Sequence, residues 1–392
     1  MEPNELDFVD FRLEREENGI NYQDICNPQS SLYEKIETLL GQIVILPNND
    51  IQTLPLISFM LTPSAMSNNL PIATLYGSSG SGKSETSKFI SALHNTPMQT
   101  AASTFASIRN LISNNRYYDS DKQFEKNFLL VWDDINEKVF TDSEQMFSMF
   151  KSGTNRKSVI TIADKMGVNM EFYPFAPKVC STVTPFWDNP KLIELKRRLM
   201  PFLFAKIPDY SRIEINLLSV EDINFNGLNG EFESFWRFPE NRNTFNSSKR
   251  LLTRLKTETI PLEVFRLYQD NIATSCVLLD ISPKEAIRVW EKYFQFSNEK
   301  IFNTNIGIKR IFEEWIEKQE IDFLDLMEIR QMTEDRILIK PLTVFNYLDD
   351  CYVNGEISQK PDRTIIEGLF VGSGYQKVKT KIGYQWAKTL SL

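Results

Sequence analysis

Gly77-Ser78-Ser79-Gly80-Ser81-Gly82-Lys83-Ser84 lies between an apolar run, Leu70 to Tyr76, and a segment of helical composition, Ser84 to Leu93. The run reads as a buried strand entering a glycine-rich turn, and Phe89, Ile90 and Leu93 give the following helix an apolar face. Strand, turn and helix in that order are the context in which G-x-x-x-x-G-K-[ST] binds a polyphosphate. Backbone N–H groups of such a turn point inward at the phosphates, Lys83 sets a point charge beside them, and the Ser84 hydroxyl is a ligand for Mg²⁺. Gly77 to Ser84, with Glu85 in the first helical turn, are therefore candidate nucleotide contacts, the nucleotide being ATP with Mg²⁺. A flexible Ser/Gly linker would not be flanked by a β-rich run and a helical one.

Downstream, Thr104 to Ser113 carries Phe105, Ile108, Leu111 and Ile112 at helical spacing. Asn127 to Asp133 is an apolar run ending in acids, as a central parallel strand should be. Its last residues, Leu129-Leu130-Val131-Trp132-Asp133-Asp134, deliver two carboxylates to a sheet edge. There Asp133 would hold the Mg²⁺ shell and Asp134 would polarise an attacking water. Val159 to Ala163 and Val168 to Phe172 read as a hairpin turning at Lys165 to Gly167, and Lys178 to Thr184 as a further core strand stopped by Pro185. Strands alternating with helices predict an α/β fold built on a parallel sheet.

The chain has 392 residues, enough for two or three domains. We expect an acidic arm over 1–29, a helical lead-in over 30–69 with Ser30-Ser31 before Leu32, Ile36, Leu39 and Leu40, and an ATPase core over 70–215. Residues 216–335 follow as a linker and helical region, with Asn224 to Asn246 irregular, and 336–392 as a winged-helix-like domain. The last has helices near Leu342 to Tyr352 and Thr364 to Phe370, then a hairpin over Tyr375 to Trp386.

Net charge is −8, from 52 acids and 44 bases, so any nucleic-acid binding must come from local basic residues rather than a global field. The longest apolar stretches are too short to span a bilayer, and the acidic start fits neither a secretory signal nor a transit peptide, so a cytoplasmic location is expected. Cys26, Cys180, Cys276 and Cys351 are too scattered for a zinc spacing and read as free thiols. His94 is the only histidine, which removes most material for His-based zinc or triad chemistry, and reads as a polar residue ending the helix after the glycine-rich turn.

From Gly77 to Phe204 the chain resembles the superfamily 3 helicases, the AAA+ ATPases of small viruses, phages and plasmids, including the helicase half of phage and plasmid primase-helicases. The resemblance rests on the P-loop, the Asp133-Asp134 pair, the hairpin with Lys165 and Gly167, and Pro177-Lys178-Val179-Cys180-Ser181-Thr182 followed by Glu194-Leu195-Lys196-Arg197-Arg198-Leu199. It implies a homo-hexameric DNA helicase or translocase serving replication of a virus, phage or mobile element. In that family the hairpin tip grips single-stranded DNA in a central channel, which falls here on Lys165. An arginine after the sensor strand completes the neighbouring subunit's site, which falls on Arg197 or Arg198, with Arg198 favoured. The family's sensor asparagine is missing; Thr182 and Thr184 are the hydroxyls that would substitute.

Arg156 and Lys157 either join a phosphate-tracking groove or sit in a solvated loop. Lys377, Lys379 and Lys381 either meet a duplex backbone or protect an edge strand. An AAA+ loader or transposition regulator that does not unwind, and an ATP-gated origin-binding initiator, remain open beside the helicase. No primase or nuclease segment is read before the P-loop, so a primase or polymerase is expected as a separate partner.

Overall fold

The computed structural model describes residues 19–115, 128–163, 169–206, 217–302, 304–330, 336–353, 361, 363–380 and 383–389. Among these the chain divides into two compact units, one drawn at Met1–Tyr76, Gly82–Phe202 and Ser211–Phe294, the other at Gly77–Ser81, Leu203–Tyr210 and Gln295–Leu392.

The larger unit starts with α1 (Leu32–Ile43), whose Leu32, Ile36, Leu39, Leu40 and Ile43 form one buried face. Its start is fixed by a capping box: the Glu34 N–H donates to Ser31 Oγ at 3.3 Å and the Ser31 N–H donates to the Glu34 carboxylate at 2.7 Å. Helix α2 (Asn49–Leu61) is buried from Leu54 to Leu61. Strand β1 (Ile72–Gly77), wholly buried, leads through the glycine-rich turn into α3 (Lys83–Leu93), followed by α4 (Phe105–Asn115). Next come β2 (Leu130–Trp132), α5 (Glu144–Ser152), the hairpin strands β3 (Ile160–Ala163) and β4 (Asn169–Phe172), then β5 (Lys178–Thr182) and β6 (Leu199–Phe204).

The main sheet has the order β2-β5-β1-β6. Strand β5 is parallel to both neighbours, pairing Leu75 with Ser181 and Tyr76 with Thr182 on one side and Trp132 with Cys180 on the other. Gln99 adds a parallel bridge to Trp132. The fold is thus mixed α/β around a parallel sheet, and its near-continuous apolar strands are what burial on both faces requires.

The unit closes with α6 (Leu228–Arg237), α7 (Pro239–Leu252), α8 (Leu262–Leu279) and most of α9 (Pro283–Ser297). Two expectations are corrected here. Residues 224–246 are largely helical: Leu228, Phe232 and Trp236 recur every four residues and are buried together, so apolar periodicity overrides the helix-averse Asn and Gly between them. Residues 19–29 are also not a free arm, since Ile20–Asn21 pairs in parallel with Ile223–Asn224 and the buried Tyr22 hydroxyl donates to Glu231 at 2.7 Å. Residues 1–18 lie outside the described residues.

The smaller unit contains α10 (Thr304–Arg330), β7 (Arg336–Ile339), α11 (Pro341–Val353), α12 (Arg363–Gly372), β8 (Gln376–Thr380) and β9 (Gly383–Thr389). Its antiparallel sheet has the order β8-β9-β7. Phe370 stacks on Trp386 with ring centroids 4.9 Å apart in a core shared with Phe312, Ile337, Val344 and Leu348. Strand β7, which the sequence reading passed over, alternates exposed and buried residues and packs Ile337 and Ile339 inward.

The four cysteines are free and buried. His94 caps the C-terminal end of α3, edge-on to Phe232, and its burial pushes the imidazole down to about 4. An imidazole that stays neutral when folded but takes a proton near 6.5 when unfolded destabilises the fold as pH falls from that value towards 4. The expected loss is about 3 kcal/mol at pH 4. Urea midpoints from pH 7 to 4 should fall less steeply in His94→Phe than in the wild type; parallel slopes would refute this.

No helix among the described residues is long and apolar enough to cross a membrane.

Candidate functional site

The Gly77 to Ser84 turn has the backbone its glycines demand. A Cβ on Gly77 would lie 1.9 Å from the Phe204 carbonyl oxygen, so only glycine lets the end of β1 approach β6 this closely. Gly82 has φ 91°, a left-handed conformation that side chains disfavour, and releases Lys83 as the first residue of α3. Ser79, Gly80 and Ser84 are exposed, whereas Ser81 and Lys83 are buried. Burial lowers the Lys83 pKa, and the carboxylates of Asp133 and Asp134 work against that shift by stabilising the ammonium. Helix N-terminus, lysine and acid pair therefore converge at the start of α3.

Strand β5 organises the acids. The Ser181 hydroxyl donates to Asp133 Oδ1 and accepts the Asp134 N–H at 2.8 Å, while the Ser181 carbonyl accepts the Ile135 N–H at 2.8 Å. Asp133 is half-buried, and Asp134 is exposed with φ 53°. A non-glycine residue in that region costs about 1 kcal/mol or more, strain that tends to be retained where a side chain must be aimed. An exposed Ser84 hydroxyl and a half-buried Asp133 carboxylate suit a hard cation arriving with a polyphosphate, because Mg²⁺ takes few protein oxygens and keeps the rest from phosphate and water.

Sequence reasoning named Thr182 and Thr184 as sensor hydroxyls and missed Ser181. Thr182 is buried, donates to the Thr184 carbonyl at 2.8 Å and accepts the Thr184 N–H at 3.3 Å, a turn that occupies its hydroxyl; Thr184 is exposed. Alternation along β5 flags Ser181 only once its neighbours are known. Ser181→Ala leaves Asp133 without its donor and the Asp134 N–H without its acceptor. It should lower kcat for nucleotide hydrolysis about 10–100-fold with a smaller change in KM, the usual cost of losing an orienting partner. Steady-state kinetics at saturating Mg²⁺ test this.

Glu85, expected at the nucleotide, is engaged elsewhere. It accepts the Val220 N–H at 3.0 Å, the Ser219 hydroxyl at 3.4 Å and the Lys88 ammonium at 2.8 Å. Burial raises its pKa, but these donors outweigh it and hold the carboxyl below its ordinary value.

Arg197 and Arg198 sit at the other end of the sheet. The Ile72 N–H, at the start of β1, donates to the Arg198 carbonyl, so the pair lies where β1 begins while the glycine-rich turn lies where it ends. Five residue steps along β1 separate these edges by about 17 Å. Arg198 is half-buried, with Nε donating to the Lys151 carbonyl at 2.9 Å and Nη1 to the Glu194 carbonyl at 2.8 Å. Arg197 is exposed and pairs with Glu263 at 3.4 Å. Both line a recess of about 380 Å³ with Arg266, Asn69 and Asn155.

Lys165, Gly167 and Lys381 lie outside the described residues. Arg156 stacks 4.8 Å from the Phe175 ring and donates to the Ser67 carbonyl at 2.6 Å and to that of Ser64, so it fastens the chain; Lys157 is exposed. Lys377 pairs with Glu367 at 3.0 Å and lies against the Tyr384 and Trp386 rings, which leaves Lys379 exposed on that strand.

No protein-family model and no curated protein matches this chain. Among solved structures, one described as "SCCmec type IV Cch - active helicase" aligns over 86% of this chain and 67% of its own, with 11% identity and a TM-score of 0.37. A likeness of that size carries no argument about activity.

Proposed function

We propose that the chain is an ATP-hydrolysing motor of the superfamily 3 helicase type, with an AAA+ core over 70–215, acting on single-stranded nucleic acid as a ring of identical subunits. One observation carries this reading: β5 lies between the P-loop strand and the acid strand, so Lys83, Asp133, Asp134 and Ser181 meet at one sheet edge while Arg197 and Arg198 occupy the opposite one.

Lys83 compensates charge on the transferred phosphoryl, and Asp133 and Ser84 would hold a Mg²⁺, which would supply further positive charge to the phosphates. Asp134 orients the attacking water and takes its proton as the bond to the leaving phosphate breaks. The Ser181 hydroxyl fixes both acids. Arg197 and Arg198 cannot reach their own subunit's P-loop across about 17 Å of strand, so they act on a neighbour's, and a head-to-tail interface of that kind closes into a ring. Exposure favours Arg197 as the reaching arm, because Arg198 is committed to two carbonyls.

The order helix, strand, helix, helix, strand, strand in the smaller unit supports a winged-helix-like domain over 336–392, preceded by α10. Glu367 neutralises Lys377, so a duplex contact on this strand falls to Lys379. The sequence pattern puts Lys165 in the hairpin turn, and its grip on single-stranded nucleic acid rests on the resemblance alone.

Single-stranded DNA should stimulate ATP turnover, and a forked duplex should be unwound with ATP and Mg²⁺. Lys165→Ala should weaken single-strand affinity about tenfold by fluorescence anisotropy. Stimulation without strand displacement would favour the loader; no stimulation by DNA or RNA would overturn the motor.

A further inference from the structure

The hairpin β3–β4 is separate from the main sheet, yet its two feet are fastened to one side chain. Lys178, the first residue of β5, is 1% exposed. Its ammonium donates to the Gly153 carbonyl at 2.9 Å, the Pro174 carbonyl at 3.3 Å and the Ala176 carbonyl at 2.8 Å. Gly153 ends α5 and leads into β3, whereas Pro174 and Ala176 connect β4 back to β5. The Ala176 N–H also donates to the Gly153 carbonyl at 3.4 Å, and Arg156 covers Phe175 between them. Space for the ammonium is built in, because a Cβ on Gly153 would come within 2.5 Å of Lys178 Nζ and 2.5 Å of the Pro174 oxygen.

Burying an ammonium is costly, and the next two positions on β5, Val179 and Cys180, are buried and apolar. Three residues beyond Lys178, Ser181 holds Asp133 and Asp134. A single five-residue strand thus has the nucleotide site at one end and both hairpin feet at the other.

We propose that Lys178 is a positioning residue that couples the nucleotide site to the hairpin, so that displacement of β5 on hydrolysis is delivered to both feet together. This rests on the reading of the hairpin as the nucleic-acid contact. With the clamp intact, occupancy of either site biases the position of β5 felt by the other.

The test compares wild type, Lys178→Met and Gly153→Ala. The second variant keeps the charge and a permitted backbone but drives a methyl group into the clamp. ATP turnover is measured with and without single-stranded oligodeoxythymidine, and oligonucleotide affinity with and without a non-hydrolysable ATP analogue. Basal turnover should stay within about twofold of wild type, while stimulation by the oligonucleotide and the analogue-dependent change in affinity should each shrink at least about threefold. Undiminished stimulation in both variants overturns the proposal. So does a proportional fall of basal and stimulated rates, which a merely structural lysine would give; where Lys178→Met does not fold, Gly153→Ala decides. Absence of stimulation in the wild type itself instead rejects the nucleic-acid reading, and the coupling with it.

Discussion

Replacing Lys83 by methionine is expected to abolish ATP hydrolysis, lowering turnover about 10²–10³-fold or more, while the thermal unfolding transition persists. Lys83 is a buried cation whose charged form the Asp133 and Asp134 carboxylates favour, against the desolvation that lowers its pKa. Methionine preserves the stem and its packing but leaves Asp133 and Asp134 facing an incoming polyphosphate with no compensating charge, so binding and the chemical step both suffer. The direction of the shift adds a second signature. As pH rises, Lys83 in the nucleotide-free enzyme loses its proton earlier than an ordinary lysine, so kcat/KM should decline on the alkaline side at a lower pH than that group's usual range. Turnover within about threefold of wild type would remove Lys83 from the mechanism.

The second large effect concerns Arg197. Arg197→Ala alone should reduce turnover about 10³-fold, the scale at which an arginine supplied to a transferring phosphoryl acts. Mixed with Lys83→Met subunits it should regain activity. A P-loop from the arginine variant and an arginine from the lysine variant meet at about one quarter of randomly formed interfaces, which sets the ceiling for recovery. The reason is positional: the pair sits at the start of β1 and the phosphate cradle at its end. Arg198→Ala in parallel separates reach from support, since Arg198 holds the Lys151 and Glu194 carbonyls and its loss should show as a lowered melting temperature. A mixture no more active than the sum of its parts would exclude action in trans.

Local features were legible without the fold. Ser30-Ser31 announced the start of α1, which the structure closes with a Ser31–Glu34 capping box satisfied within four residues, and Val159 to Phe172 announced a hairpin, whose strands pair with Ile160 opposite Phe172. Misreadings arose where composition and periodicity disagreed. Between 224 and 246, asparagines and glycines suggested irregular chain, but Leu228, Phe232 and Trp236 share a burial site that only packing reveals. Basic residues were judged by type rather than by company. Arg156 proved to be tied to carbonyls and Lys377 to Glu367, partners 89 and 10 residues away.

By itself the sequence determined the glycine-rich turn, its lysine and serine, and the two acids after a buried strand, because each is a constraint on consecutive residues: a left-handed glycine, a helix start, a strand end. Tertiary structure decided strand order. An apolar run declares that a strand exists and is buried, but its neighbours are set by non-local packing. The placement of β5 between β1 and β2 made Ser181 the residue that holds Asp133 and Asp134, put Lys178 beneath the hairpin, and set Arg197 and Arg198 at the edge their own glycine-rich turn does not share.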